Sequence, residues 1–328
     1  MKKRINPWTI LLLVVAAVAP LVLTNPSHQN FLILAMMLGQ LGVTWNILGG
    51  YAGQVSFGHA AFFGIGAYTS SVLLIQFGVS PWIGMIAGGV VATLFALLIG
   101  WPCFKLRGHY FAIATIAVAE ILQILFTNWG AVGGAVGLSI PLEEEGLKAF
   151  VFNSSKLPYY YIALGLLIIT LAASWGIEQS FLGHYFRAIK DEPEAARSLG
   201  INLTRYKLVA IGVSSFLTAA AGTLYAQKEL FIDPGSVMAT SLSVKIALAA
   251  ILGGVGSLFG PMIGGGIIIG IEEATRQLFG GSGRGTDLIL YGLIIIIVAV
   301  YYPHGVIGGI KAWSERRAAR ASRGGTGR

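Results

Sequence analysis

Apolar residues run along this chain in blocks of about twenty, separated by short gaps rich in Gly, Pro and Ser. A helix needs about 20 predominantly apolar residues to cross a bilayer. Blocks of that size fall near 8–24, 31–49, 56–77, 82–102, 109–127, 159–177, 207–227, 241–259, 262–279 and 287–303. The pattern predicts an all-α, polytopic integral membrane protein with about ten transmembrane helices. These blocks take up most of the chain, so one membrane domain over residues 1–328 is expected. One stretch breaks the pattern. From Phe181 to Lys207 the sequence FLGHYFRAIKDEPEAARSLGINLTRYK packs five Lys/Arg and three Asp/Glu between two apolar blocks.

Composition agrees. Of 328 residues, 55% are hydrophobic and only 11% charged, against about a quarter charged in soluble domains. Mean hydropathy is +0.75. The 45 glycines suit close helix–helix approach in lipid, where small residues let backbones pack. The net charge of +8 would suggest a nucleic-acid surface until the positions are sorted. With the N-terminus inside, sixteen Lys/Arg fall on the inner side and four (Lys148, Lys156, Lys228, Arg284) on the outer, with Lys245 and Arg276 inside spans. The positive-inside rule expects that bias. It places both termini in the cytoplasm and the chain in a plasma (inner) membrane as a multi-pass protein. The basic tail, about 304–328, then meets the anionic inner leaflet rather than nucleic acid. After MKKR and the apolar run Trp8–Leu23 no small-residue cleavage site follows, which favours a retained first helix over a cleaved leader. The lone Cys103 cannot form an internal disulfide.

Within the charged island, Asp191 is placed to cap a short helix with Pro193 in its first turn and Glu194 three residues on. Gly200 suits the left-handed residue that ends it. The expected result is a free-standing helix, Pro193–Leu199, in a cytoplasmic loop of about 179–207, with Glu192 at its start and Ala195 and Ala196 giving a shallow face for a groove on another protein. Two segments are glycine-rich at membrane depth, GGYAGQVSFGHAAFFGIGAY (Gly49–Tyr68) and LGGVGSLFGPMIGGGIIIG (Leu252–Gly270). Non-helical backbone at that depth is tolerated only where it is buried in protein or lines a cavity. Both are candidates for a translocation path, with Gln54, Ser56, Gly58 and His59 in the first and Gly254, Gly256 and Ser257 in the second. Glu120 sits midway along the block at 109–127, where a carboxylate costs about 2.5–3.5 kcal/mol on insertion scales, so it joins the path candidates. Lys245 reads as unpaired, and Glu272, Glu273 and Arg276 are spaced to pair among themselves.

Catalytic signatures are missing. No G-x-x-x-x-G-K-[ST] occurs, so no P-loop cradles ATP here. His59 has no second His or Cys at ligand spacing, which argues against a metal.

The island's EPEAARSLG carries an E-A-A-x-x-x-G element that resembles ABC importer permeases. GYAGQVSFGHAAFFGIGAYTS (50–70), HYFAIATIAVAEILQILFTNW (109–129), LGGVGSLFGPMIGG (252–265) and YYPHGVIGG (301–309) resemble the branched-chain amino acid permeases of LivM type. The likeness runs from about Phe31 to Gly309. Two departures stand out: VAIGVSS where the wider signature carries I-x-L-P, and VGGAVGL (132–138) where the family usually carries TGG followed by GI. The resemblance implies an ABC importer permease bundle without catalytic residues or a cofactor of its own. ATP would be bound by two cytoplasmic ATPase subunits, docked on the helix around Glu194. A second, related permease subunit and an extracytoplasmic binding protein would complete an importer for branched-chain or related hydrophobic amino acids. Urea, short amides or a sugar are alternative cargoes for the same machinery. An ion-coupled secondary transporter using Glu120, or a non-transporting membrane scaffold, are the readings from other classes.

Overall fold

The structure, a computed structural model, describes residues 19–20, 25–106, 108–141, 146, 150–152, 155–279 and 292–293. Apart from two isolated residue pairs, the predicted blocks at 8–24 and 287–303 lie outside the described residues. So do the acidic run 143–145, the YYPHGVIGG segment and the basic tail.

Several helices begin or end on local capping chemistry. Helix α1 (Pro26–Asn46) starts with proline at its first position and Asn25 Oδ1 accepting from Ser27 N at 2.9 Å. A five-residue π-helical turn, Ile47–Tyr51, continues it. Helix α2 (His59–Phe77) stops at the left-handed Gly78, and α3 (Pro81–Cys103) again opens on proline. Helices α4 (His109–Asn128) and α5 (Leu157–Gln179) follow. Two short helices, α6 (Phe181–Asp191) and α7 (Pro193–Ser198), lead to α8 (Leu203–Glu229), whose Asn202 cap accepts from Arg205 N at 3.0 Å. A one-turn helix α9 (Pro234–Val237), closed by an Asp233–Ser236 capping box, precedes α10 (Thr240–Gly253) and α11 (Gly260–Phe279).

Among the described residues, seven helical segments are long and apolar enough to cross a membrane, with α9 and α10 counted as one. Helix α11 has the length but carries Glu272, Glu273 and Arg276. The expected count of about ten is not established by these residues. Seven such helices make this a mostly helical, multi-pass membrane protein.

Helices α1 and α8 are the most enclosed spans and α4 the least. Helix α1 packs along α11, α5 and α10, while α8 packs along α2 and α3. Apolar burial drives little association between helices in lipid, so close backbone approach must carry it. The α2–α8 crossing shows this. A Cβ on Gly66 would sit 2.1 Å from Ala219 O, and one on Gly222 only 2.0 Å from Phe63 O.

The expectation of a purely helical chain needs one small amendment. Leu138–Ser139 (β1) pairs antiparallel with Phe231–Ile232 (β2), tying the long connection after α4 to the end of α8. In that connection Phe150 is fully buried, stacked on Trp82 at 4.5 Å between ring centroids.

Candidate functional site

The charged island folds into two helices where one was expected. Helix α6 is amphipathic, burying Gly183, Phe186 and Ile189 beneath a polar face. Its signal lies in the apolar residues at 182, 185, 186 and 189, spaced three and four apart. Helix α7 corrects the expected cap. Asp191 is the last residue of α6, and Glu192, in extended conformation, stands at the N-cap of α7 without a side-chain capping bond. Proline restricts the residue before it to extended backbone, which moves the cap to Glu192. Only Pro193 at the first position and Glu194 in the first turn match the expectation.

The far end of α7 is as expected. Gly200 takes φ +83°, Gly200 N donates to Arg197 O at 2.9 Å, and Ile201 N donates to Ala196 O at 3.1 Å. That pair of bonds is a Schellman closure. Ala196 is turned inward and buried, whereas Ala195 stays exposed. The open face of α7 is therefore Ala195 with its charged neighbours and Leu199, which is 82% exposed.

Lys190 in the last turn of α6 reaches back into the bundle. Its Nζ donates to Gly50 O at 2.9 Å, at the end of the π-helical turn. One turn earlier Asn46, fully buried, spans to the second glycine-rich segment. Its Nδ2 donates to Ser257 O at 2.9 Å, and Gly256 N donates to its Oδ1 at 2.7 Å. Ser257 Oγ donates to Gly254 O at 2.7 Å and accepts from Gly260 N at 3.1 Å, which shapes the turn into α11. The two glycine-rich segments thus meet at one end of the bundle, with the charged island laid against them. Of the path candidates, Gly254, Gly256 and Ser257 belong to this junction.

Gln54 lies beside it. A cleft of about 1540 Å³ is lined by Gln54, Lys190, Pro193, Glu194 and Gly200 among others. Ser56, Gly58 and His59 are placed deeper. Trp45 Nε1 donates to Ser56 O at 2.7 Å, and Gly58 N donates to Ser56 Oγ at 3.2 Å. His59 Nε2 lies 2.9 Å from Ser214 Oγ, whose single proton goes to Thr44 O at 2.7 Å. His59 must then donate from Nε2. Its Nδ1 is buried without a partner among the described residues.

Glu120 sits apart from this junction. It accepts a short hydrogen bond from Thr240 Oγ1 at the start of α10. Elsewhere on α10, Lys245 pairs with Glu272 of α11, and within α11 Arg276 pairs with Glu273 at 2.6 Å. Lys245 is therefore not unpaired, and Glu272 does not pair within its own helix as expected; it reaches across to α10. Asn46 and Lys190 are the functional candidates that sequence reasoning missed. The signal for Asn46 was a polar residue at membrane depth just before a glycine run. For Lys190 it was a lysine at the end of an amphipathic segment. No three His, Cys, Asp or Glu among the described residues come together as a metal site would need.

Residues 27–299 match the family described as branched-chain amino acid transport system / permease component. The chain is 29% identical to the high-affinity branched-chain amino acid transport permease LivM of Salmonella typhimurium, over 90% of this chain and 73% of that protein. To LivM of Escherichia coli it is likewise 29% identical, over 92% and 74%. To the LivH permease of Escherichia coli it is 26% identical, over 85% and 94%. No solved structure matches.

Proposed function

Since the chain belongs to the branched-chain amino acid transport permease family, we propose that it is one membrane-spanning half of an ATP-driven importer for branched-chain or related hydrophobic amino acids. The second half is a related permease, which fits a chain similar to both LivM and LivH. Of two cytoplasmic ATPase subunits, one docks on α7 and the other on the matching helix of the second permease, and a binding protein delivers cargo from outside. The chain lies in the plasma (inner) membrane with both termini in the cytoplasm.

The observation that carries this reading is the bond from Lys190 to Gly50. A push on α7 reaches Lys190 through the one-residue hinge at Glu192. Lys190 passes it to the π-helical turn, and Asn46 passes it on to the turn that starts α11. Rigid helices on both sides then move together, as a rigid-body change driven by differential affinity for two states requires.

The path itself runs along the flank of α4, α10 and α11. Glu120 bonds Thr240 of α10 there, and Lys245 of α10 pairs with Glu272 of α11. Charges at hydrocarbon depth cost about 2.5–3.5 kcal/mol each on insertion scales, so this flank faces water or a partner subunit rather than acyl chains.

Lys190→Met tests the coupling route. A hydrogen bond from a charged group is worth about 1.5–3 kcal/mol. The variant should insert normally and keep its ATPase subunits, yet lose at least about tenfold in ATP-driven uptake, the factor that 1.4 kcal/mol represents. Uptake at the native rate would remove Lys190 from the mechanism.

A further inference from the structure

The same large cleft carries a second chemistry. Of the six described Lys and Arg at this end of the bundle, five line it: Lys105, Lys190, Arg197, Arg205 and Lys207. Only Arg187 lies elsewhere, paired with Glu178 at 2.9 Å. Among the described residues Glu194 is the one carboxylate in the lining. Among the described residues Lys105, Arg197 and Arg205 make no ion pair with a carboxylate. A positive-inside bias alone would spread cations around the rim. Here they converge on one opening.

Below the cations the walls are apolar. Leu97 and Trp101 of α3 face Leu208 and Val209 of α8 across the groove. It closes where Thr93 Oγ1 donates to Gly212 O at 3.3 Å and the two helices meet. From Thr93 to the end of α3 at Cys103 the helix rises about 15 Å, which is the depth of half a hydrocarbon core. Trp101, 60% exposed, marks the interface, with Lys105 Nζ 4.6 Å above its ring. The outward side of α3 supports lipid contact, since Ile86, Val90, Leu94 and Leu98 are all exposed and apolar.

We propose that the α3–α8 groove binds one anionic phospholipid of the adjacent leaflet. Its phosphate sits among Lys105, Arg197 and Arg205, and one acyl chain lies along Leu97 and Leu208 toward Thr93. Charge complementarity selects an anionic head, and the leaflet-deep apolar wall selects a lipid over a soluble phosphate. Because Pro193 and Glu194 line the same cleft, the bound head group would touch α7 and make its position depend on lipid charge. Binding itself requires only that the chain be embedded in a membrane, so it stands or falls separately from the transport reading.

Native mass spectrometry of the full-length chain in mild detergent tests this, with phosphatidylglycerol, phosphatidylcholine and glycerol 1-phosphate added in turn. Phosphatidylglycerol should form a one-to-one adduct at a concentration at least fivefold lower than phosphatidylcholine. Glycerol 1-phosphate should form none. The double variant Lys105→Gln, Arg205→Gln should lose the preference, and Arg187→Gln, outside the cleft, should keep it. Equal binding of the two lipids would overturn the proposal, as would a preference that survives the double variant or vanishes in Arg187→Gln. Tight binding of glycerol 1-phosphate would show an anion site with no lipid wall and would also overturn it.

Discussion

Asn46 is the side chain on which the two glycine-rich segments depend. It is fully buried and satisfies one backbone N–H and one backbone C=O of the opposing turn. Asn46→Leu keeps the volume and removes both bonds, leaving Gly256 N–H and Ser257 C=O, at a partly buried junction, without that partner. Each lost hydrogen bond costs about 0.5–1.5 kcal/mol, so the detergent-solubilised variant should melt a few degrees lower. An unchanged melting temperature would mean that the turn is held by other contacts. Gly200 acts more locally. Its φ of +83° lies in open space, so Gly200→Ala meets no neighbour and suffers only the left-handed penalty of about 1–2 kcal/mol. The variant should retain the fold and the melting temperature of the bundle while fraying α7, which hydrogen exchange on Leu199–Ile201 would register. Protection there equal to the native chain would contradict that account. The residue scale is also where sequence reading reached least. Glu194, Pro193 and Gly200 were legible because capping chemistry is local. Asn46 and Lys190 were not, because their partners lie 210 and 140 residues away.

Whole helices were far more legible. The blocks expected at 56–77, 82–102, 109–127 and 159–177 appear as His59–Phe77, Pro81–Cys103, His109–Asn128 and Leu157–Gln179. Apolar runs bounded by Pro and Gly have sharp edges, because proline starts helices and left-handed glycine stops them. The block at 241–259 was misplaced, since α10 ends at Gly253 and the next six residues form the turn into α11. Hydropathy cannot see that break, because Leu252–Phe259 is as apolar as a helix interior. Helix α6 was hidden for the opposite reason: its charges mask an amphipathic period that becomes visible only when the buried positions are marked. Close packing is likewise an element property. Gly222→Val would push methyl groups into the Phe63 carbonyl, already 2.0 Å from a bare Cβ. The α2–α8 crossing should then fail to form, and the variant should run as an aggregate in fluorescence-detected size exclusion. A monodisperse peak at native yield would show that the two helices can part without loss.

The whole molecule has two unlike flanks. Along α3 the exposed residues at membrane depth are apolar, Leu94 and Leu98 among them. Along α4, α10 and α11 stand ionisable side chains, Glu120 against Thr240 and Lys245 against Glu272. The first suits lipid and the second suits a water-lined path beside a partner permease. Cysteine placed on each flank should report the difference in native membranes. Glu120→Cys should react with a water-soluble maleimide, and Leu94→Cys should not. Glu120 was legible in the sequence as a path candidate, because a carboxylate stands out in an apolar block; the outward face of Leu94 was not, because only helix packing shows it.

The proposed transport role rests on α7 being the point where ATP-driven force enters the membrane. The most direct measurement is affinity purification of the tagged full-length chain from native membranes in mild detergent, beside a version with Pro193–Ser198 scrambled. The native chain should bring down a P-loop ATPase, and the scrambled chain, inserted to the same level, should not. An ATPase retained equally by both would place the docking surface elsewhere. Its absence from both would contradict an ATP-driven role and leave the charged flank around Glu120 as the remaining basis for transport.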